Sequence, residues 1–428
     1  MKHYILLLVL ILTGYSAAAQ LMQFQQGKKL FMEGDYQKSL EYFNQAISQE
    51  RSGNRELLAE AYYLRGMNYI RLYGEAFSGD HATLQKRYAN ALLSAYNDFI
   101  SCLKYDNGQY WQRIDNEMKN LHQPLLQEGL KSLNEYNDLV FNGTTDKNLL
   151  KRAEDYLTAA HDIRDSYLVN DLLGQVALEK GQKEEAGKFF SRAEKLYTEN
   201  LPDEPDFLMA YVFYRQAAIH KTTDIRKALD DARRGIRLME SEYERFTRMK
   251  YDMAPPRIMD MEEQYTLAMQ DLNSLTLDLY LSAPEMYVEA LDVFEQELEE
   301  EPDNVNVLTG YASLLEKTDK PKAIAMYEKV LALEPDNEVV LFNLGVLHYS
   351  RGKEMFDLAQ STSDNDQFSI LLEEATRSFD LAKPFFKEVL ALDPGSLDAV
   401  QALKIIAFVL DEKEDYLKYQ ALEKDLGQ

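Results

Sequence analysis

One cysteine, Cys102, stands in a chain of 428 residues. No intrachain disulfide can form, so stability must come from packing alone, which is feasible at this length. Basic charge is also scarce, with 47 Lys and Arg against 72 Asp and Glu and a formal net charge of -25. Such a surface offers a polyanion no counterion release, and no basic stripe with interleaved aromatics appears. Nucleic acid is therefore excluded as a partner and basic partners are favoured. Beyond the N-terminus the longest apolar run free of tyrosine is 405–410, far short of the ~20 residues that span a bilayer as a helix.

The signatures of catalysis are absent too. There is no phosphate loop, nucleophile elbow, zincin helix or dinucleotide fingerprint. The six histidines, His3, His81, His122, His161, His220 and His348, include no pair at metal-ligand spacing. Glu297, Glu299, Glu300 and Glu301 crowd one helix end before Pro302 and read as a solvated face. Asp364-Asn365-Asp366 has calcium-like spacing, but the glycine and distal glutamate of a calcium loop are missing, so it reads as loop polarity. Neither a catalytic residue, a metal ligand nor a cofactor site is expected, and the chain is read as a non-enzyme.

What is present begins with a leader. Lys2 and His3, an apolar run at 5–12 and the small residues Ala17 and Ala19 form an export signal over 1–19, with cleavage expected before Gln20. No cysteine stands near that site for lipid attachment, so the expected product is periplasmic or peripherally envelope-associated, not a lipoprotein, with no integral membrane segment left after cleavage.

The rest is periodic. Three helix endings converge on Pro302-Asp-Asn, Pro335-Asp-Asn and Pro394-Gly-Ser. Twelve residues before each proline stands an alanine (Ala290, Ala323, Ala382), and eight before it an aromatic (Phe294, Tyr327, Phe386). The same small and large alternation occurs near the N-terminus in Gly27, Leu30, Gly34, Ser39, Phe43 and Ala46. It returns in Gly66, Tyr69, Ala95, Phe99 and Cys102, and again in Gly174, Ala177, Gly181, Ala186, Phe190 and Ala193. Two helices can cross closely only where side chains are small, and large ones fill the gaps beside the crossing. Cys102 occupies one of the small positions and is read as core, and His348 replaces a large packed residue.

A helical pair of about 34 residues with this pattern resembles the tetratricopeptide family over almost the whole chain after the leader. The resemblance implies an all-α fold, a right-handed superhelical solenoid of about eight antiparallel helix pairs. Less regular pairs are expected at 121–165, 207–242 and 262–300. Gly66 and Ala95 lie 29 apart where Gly27 and Ser39 lie 12 apart, which places an insert at about 73–87; Gly345 and Ala382, 37 apart, place a second at about 353–377. The inserts are read either as functional additions or as tolerated loops, in both cases removable with little change in melting temperature. Pro255 and Pro256 suggest a hinge at 250–261 between an N-terminal array, 20–249, and a C-terminal array, 262–428, which closes on capping helices.

In this family the first helix of each pair lines a concave groove. The corresponding residues are Phe24, Lys28 and Phe31; Tyr63, Met67 and Ile70; Asp171, Gln175 and Leu178; and Phe342, Val346 and Tyr349. The carboxylate clamp known in the family is not matched, since only Lys28 is of the required type and it is out of place. Either the apolar stripe receives a partner, or winding of the array or an insert covers it. The expected function is a protein-interaction scaffold of the bacterial envelope, holding an extended or helical segment with apolar anchors and basic flanks. A homo-oligomer is compatible with this reading. The alternative is a glycan-binding surface component, because the helical scaffold of starch-uptake lipoproteins also resembles these repeats.

Overall fold

The computed structural model describes residues 2–48, 54–79 and 81–426, with side chains described from residue 18 onward. Every regular element among them is helical. The expected leader falls almost wholly where side chains lie outside the described residues, and its backbone opens helix α1, Lys2–Glu33.

By its contacts the chain forms two compact units, Met1–Glu204 and Pro205–Gln428. In the first, α1 pairs with α2 (Tyr36–Ser48), and α3 (Arg55–Phe77) pairs with α5 (Ala91–Tyr105), with the short α4 (Ala82–Arg87) between them. Then α6 (Trp111–Phe141) pairs with α7 (Lys147–Ile163), and α8 (Tyr167–Glu179) with α9 (Lys183–Glu199). The second unit opens with α10 (Ala210–His220) on α11 (Ile225–Met249), followed by α12 (Pro255–Leu281) and α13 (Tyr287–Glu300). It continues with α14 (Val305–Leu315) on α15 (Lys320–Leu333), α16 (Glu338–Ser361) on α17 (Asn365–Leu392), and α18 (Leu397–Val409) on α19 (Lys413–Leu426). The division thus falls after Glu204 and not at 250–261. There Pro255 occupies the first turn of α12, where its missing N–H costs nothing.

The helix pairs are held by rings seated on glycines. A Cβ added to Gly27 would stand 3.1 Å from the ring of Phe43, one on Gly66 2.7 Å from Phe99, one on Gly345 3.0 Å from Phe386, and one on Gly174 closer still to Phe190. All four rings are buried, each worth roughly 2–3 kcal/mol in transfer terms. The third pair uses the same device with an aliphatic residue, Leu157 of α7 lying over Gly129 of α6.

The recurrent Pro-Asp-Asn acquires a local reason. Asn304 accepts hydrogen bonds from the amides of Asn306 (3.1 Å) and Val307 (3.2 Å) and caps α14. Asn337 accepts one from the amide of Val340 (3.1 Å) and caps α16. Asp364 likewise caps α17 through the amides of Asp366 (2.9 Å) and Gln367 (3.0 Å), which accounts for the calcium-like triplet. Gly34 and Gly181 turn the chain at φ 82° and 75°, and Asp411 makes the equivalent turn at φ 57°. Gly352, which the period assigns to such a turn, lies inside the lengthened α16, and a Cβ on it would meet Phe379 at 3.1 Å.

Both inserts are packed, contrary to the reading of freely removable segments. Tyr73 Oη donates to Glu128 Oε1 at 2.8 Å while Arg152 Nη2 donates to Glu128 Oε2 at 2.9 Å. Tyr156 Oη donates to the carbonyl of Ala89 at 2.6 Å. Tyr73, Phe77 and Leu84 cover a small core of Leu72, Ala76, Tyr88 and Ala91. The second insert extends α16 and α17 as one hairpin, with Ala359 and Ala375 buried.

Two outcomes follow for stability. Gly174→Ala should destabilise the fold by ~1–3 kcal/mol through overpacking. Gly187→Ala, with nothing within 4 Å of the added Cβ, should stabilise it by ~0.5–1 kcal/mol through helix propensity. Urea titration of both variants checks the pair, and equal effects would refute the seating of the Phe190 ring. Deleting 73–87 should lower the unfolding midpoint, with Tyr73→Ala alone removing ~2 kcal/mol or more. An unaltered unfolding curve would restore the tolerated-loop reading.

Candidate functional site

The expected groove residues part company in the structure. Phe24 is only 6% exposed and packs on Phe43 with ring centroids 6.1 Å apart, so it is core. The close crossing at Gly27 draws α2 over it. Lys28 pairs with Glu60 at 2.6 Å, and Phe31 packs on Tyr36 at 5.6 Å. Tyr63 is wedged between Phe99 (6.0 Å) and Tyr110 (5.1 Å), and Met67 and Ile70 pack half-buried on the same cluster. On this unit Phe24 alone is buried, and the rest of the apolar stripe is half-buried against its own neighbours. Gln175 Nε2 donates to Asp171 Oδ2 at 2.9 Å on α8, and Leu178 is half-buried on the same helix.

In the second unit the stripe is more open. Phe342 and Tyr349 lean on Phe386 at 5.7 and 6.3 Å and remain half-buried, while Val346 is exposed. The start of α16 and the next first helix, α18, carry exposed apolar residues that the sequence reading passed over. Val339 at the start of α16 is 62% exposed and Phe408 of α18 is 68% exposed, with Ile405 also open. The spacing that selects Val346 and Tyr349 on α16 selects Ile405 and Phe408 on α18, so these two were within reach of the sequence.

Beside Val339 lies a cleft of about 370 Å³ between α12 and α14. Its origin is a displaced ring. Phe294 of α13 sits on Gly310 of α14, where an added Cβ would come within 2.8 Å of it, so α13 leans away from α12. The opened space is lined by amides and hydroxyls: Gln270, Asn273 and Ser274 from α12, and Asn306 and Thr309 from α14. Thr309 Oγ1 is buried without a hydrogen-bond partner. Among the described residues, the side chains of Gln270, Asn273, Ser274 and Asn306 also make no hydrogen bond within the chain.

At one end Arg233 donates to Tyr280 Oη and lies 3.7 Å from Glu289. Glu297 lines the same end. Burial raises its carboxyl above the usual range, and the negative charge of Glu240 adds to the shift. Glu240 is raised in the same way, by burial and then by Glu301. Glu297, Glu299, Glu300 and Glu301 are all exposed, the solvated face expected of the cluster, and Glu240 faces the same acids.

No family model matches the chain. A stretch of 124 residues is 30% identical to the photosystem I assembly protein Ycf3 of Acaryochloris marina (strain MBIC 11017), covering 28% of this chain and 65% of that protein. The chain thus spans just under two thirds of that relative. Solved structures similar to it include the P58(IPK) TPR domain (16% identity, TM-score 0.28, 92% of this chain and 99% of that one). Yeast Tom70 is another (12%, TM-score 0.36, 95% and 91%). A third is a putative protein binding protein from Bacteroides ovatus (18%, TM-score 0.27, 57% and 98%). At such scores the chain's own repeat geometry decides the architecture, and rings on glycines at fixed spacing with Pro-Asp-Asn junctions decide it. The helix pairs are antiparallel and recur in the order that the resemblance to tetratricopeptide repeats implies.

The remaining candidates are structural. Cys102 is fully buried, and burial pushes its thiol up to about 12, so it is a packed residue without nucleophilic character. His348 stacks on Phe385 at 5.9 Å with rings nearly parallel, and burial lowers its pKa. Among the described residues no group of His, Cys, Asp and Glu could hold a metal ion. What the open face can do is bind. Unpaired amides and hydroxyls offer donors and acceptors to a backbone, and the exposed apolar residues offer anchors.

A lowered histidine pKa makes stability pH-dependent in a known direction. As pH falls through the unfolded value of about 6.5, the unfolded chain takes up the proton first, so stability contributed by neutral His348 declines below that pH and is unaffected above it. His122, also lowered by burial and then by Arg164, acts in the same sense. Urea unfolding between pH 7.5 and 5.5 (roughly one unit either side) should show a shallower decline for His348→Gln than for the parent. An identical pH slope would remove His348 from the titrating set.

Proposed function

We propose that this protein is a non-enzymatic interaction scaffold that holds an extended segment of a partner protein across the first helices of its second unit. The observation that carries this reading is the cleft between α12 and α14, with its unpaired amides and the unsatisfied Thr309 hydroxyl, continued by exposed Val339, Val346, Ile405 and Phe408. The buried Thr309 hydroxyl left unpaired is costly, about 1–3 kcal/mol, and a bound backbone would satisfy it while pairing with the open side chains of Gln270, Ser274 and Asn306. The apolar residues further along supply anchors of the type that dominates binding energy. Unpaired Glu297 and its acidic neighbours favour a segment with basic flanks, in keeping with the charge of -25.

The proposed setting is the bacterial envelope, reached through cleavage of the 1–19 leader. Gln20, the first residue after the proposed cut, is the point from which the first pair is packed: its side-chain amide donates to the carbonyl of Ala46 at 3.0 Å. Among the described residues no helix is long and apolar enough to cross a membrane. Capture of a polysaccharide remains the second reading, favoured only by the hydroxyl and amide content of the cleft.

Photo-crosslinking in envelope extracts tests the proposal. A photoreactive phenylalanine at Val339 or Phe408 should label one protein partner, and the same residue at Lys329 on α15 should not. Labelling should fall at least tenfold, about 1.4 kcal/mol, in the Asn306→Ala Thr309→Ala double variant. Partner labelling from Lys329 alone would refute the face. Retention on a polysaccharide column that Phe408→Ala abolishes would favour the glycan reading instead.

A further inference from the structure

We propose that the cleft around Trp111 in the first unit is a second docking surface, which takes an amphipathic segment carrying a lysine or arginine beside its apolar anchors. Trp111 is the only tryptophan in the chain, opens α6 and is 61% exposed. With Ile100 and Leu103 of α5, Met118 of α6 and Ile163 of α7 it forms a cleft of about 230 Å³. A polar cleft of about 470 Å³ between α5 and α7 shares Tyr96 and Asp162 with the first, so the two are continuous. This surface is built on the second helices α5 and α7 and on the N-terminal turns of α6, all within the first unit.

Charge decides the occupant. Asp162, at the junction of the two clefts, accepts a hydrogen bond from Tyr96 Oη at 2.7 Å. Among the described residues it has no cation within ion-pair distance. The other acids of the surface are held by exposed pairs, Asp115 by Lys119 at 2.5 Å, Glu154 by Lys180 at 2.7 Å and Asp155 by Lys151. Exposed pairs are worth only about 0–1 kcal/mol, so an incoming cation can displace them. A second copy of so acidic a chain, or an anionic membrane, would be repelled. A basic amphipathic segment places its cation at Asp162 and its apolar side chains on Trp111, Ile100 and Leu103. Aromatic residues in partly enclosed pockets are where binding energy concentrates.

Because Trp111 is the sole tryptophan, its emission reports on this surface alone. The full chain is titrated with two model peptides of alternating helical pattern, one of leucine and lysine, the other of leucine and glutamate. A saturable blue shift is expected with the lysine peptide and none with the glutamate peptide. Apparent affinity should fall at least tenfold in Asp162→Asn and in Leu103→Gln, both checked for native circular dichroism. If either variant fails to fold, Ile100→Ser replaces it with the same expectation. Absence of a shift with the lysine peptide, an equal response to both peptides, or unchanged affinity in the folded variants would overturn the proposal.

Discussion

The structure rests on a missing methyl group. Where an aromatic ring crosses the neighbouring helix, that helix carries glycine, and the ring occupies the volume a Cβ would take. Phe43 on Gly27, Phe99 on Gly66, Phe190 on Gly174 and Phe386 on Gly345 repeat one contact in four pairs. Each contact fixes both the distance and the register of its two helices, since sliding either by a turn would set the ring against a side chain. With a single buried cysteine and no metal cluster among the described residues, nothing else fixes the geometry so tightly.

This dependence explains which parts were legible in the sequence. A contact requiring one residue type at one spacing is visible as a period, so the regular pairs could be placed from Gly27, Gly66, Gly174 and Gly345. The insert at about 353–377 was equally visible, because the displaced Ala382 reports the extra residues between it and Gly345. The turn at Asp411 escaped notice because a non-glycine adopts the left-handed conformation there. Gly352 misled in the opposite way, its small size serving a ring, Phe379, and not a turn.

The site was less legible, for a physical reason. Inward position on a helix says where a side chain starts but not what later folds over it. Phe24 and Tyr63 meet the positional rule and are covered, by α2 and by the segment carrying Tyr110. Phe342, Val346 and Tyr349 share a face, and the same rule applied to α18 would have added Ile405 and Phe408. The cleft itself could not be read, because it arises from the direction in which one ring, Phe294, turns. In place of a uniformly apolar groove, the second unit presents amides and hydroxyls beside apolar anchors. Glu240, Glu297 and Glu301 lie close enough that charge on each raises the pKa of another.

The choice made by Phe294 also shifts a boundary of cooperativity. In a linear array stability is approximately a sum of terms for each repeat and for each junction between neighbours. The ring of Phe294 touches Tyr280 of α12, with centroids 6.4 Å apart, but is seated on Gly310 of α14, and α13 packs chiefly on α14. Meanwhile α12 packs chiefly on α11, where Gly235 receives Leu272 at 3.1 Å from an added Cβ. The unit of sub-global opening therefore begins at α13 and not at α12, out of step with the covalent repeat by one helix. Amides of α12 would exchange with those of α10 and α11, and those of α13 with α14 and α15, a partition that hydrogen exchange resolves as separate foldons.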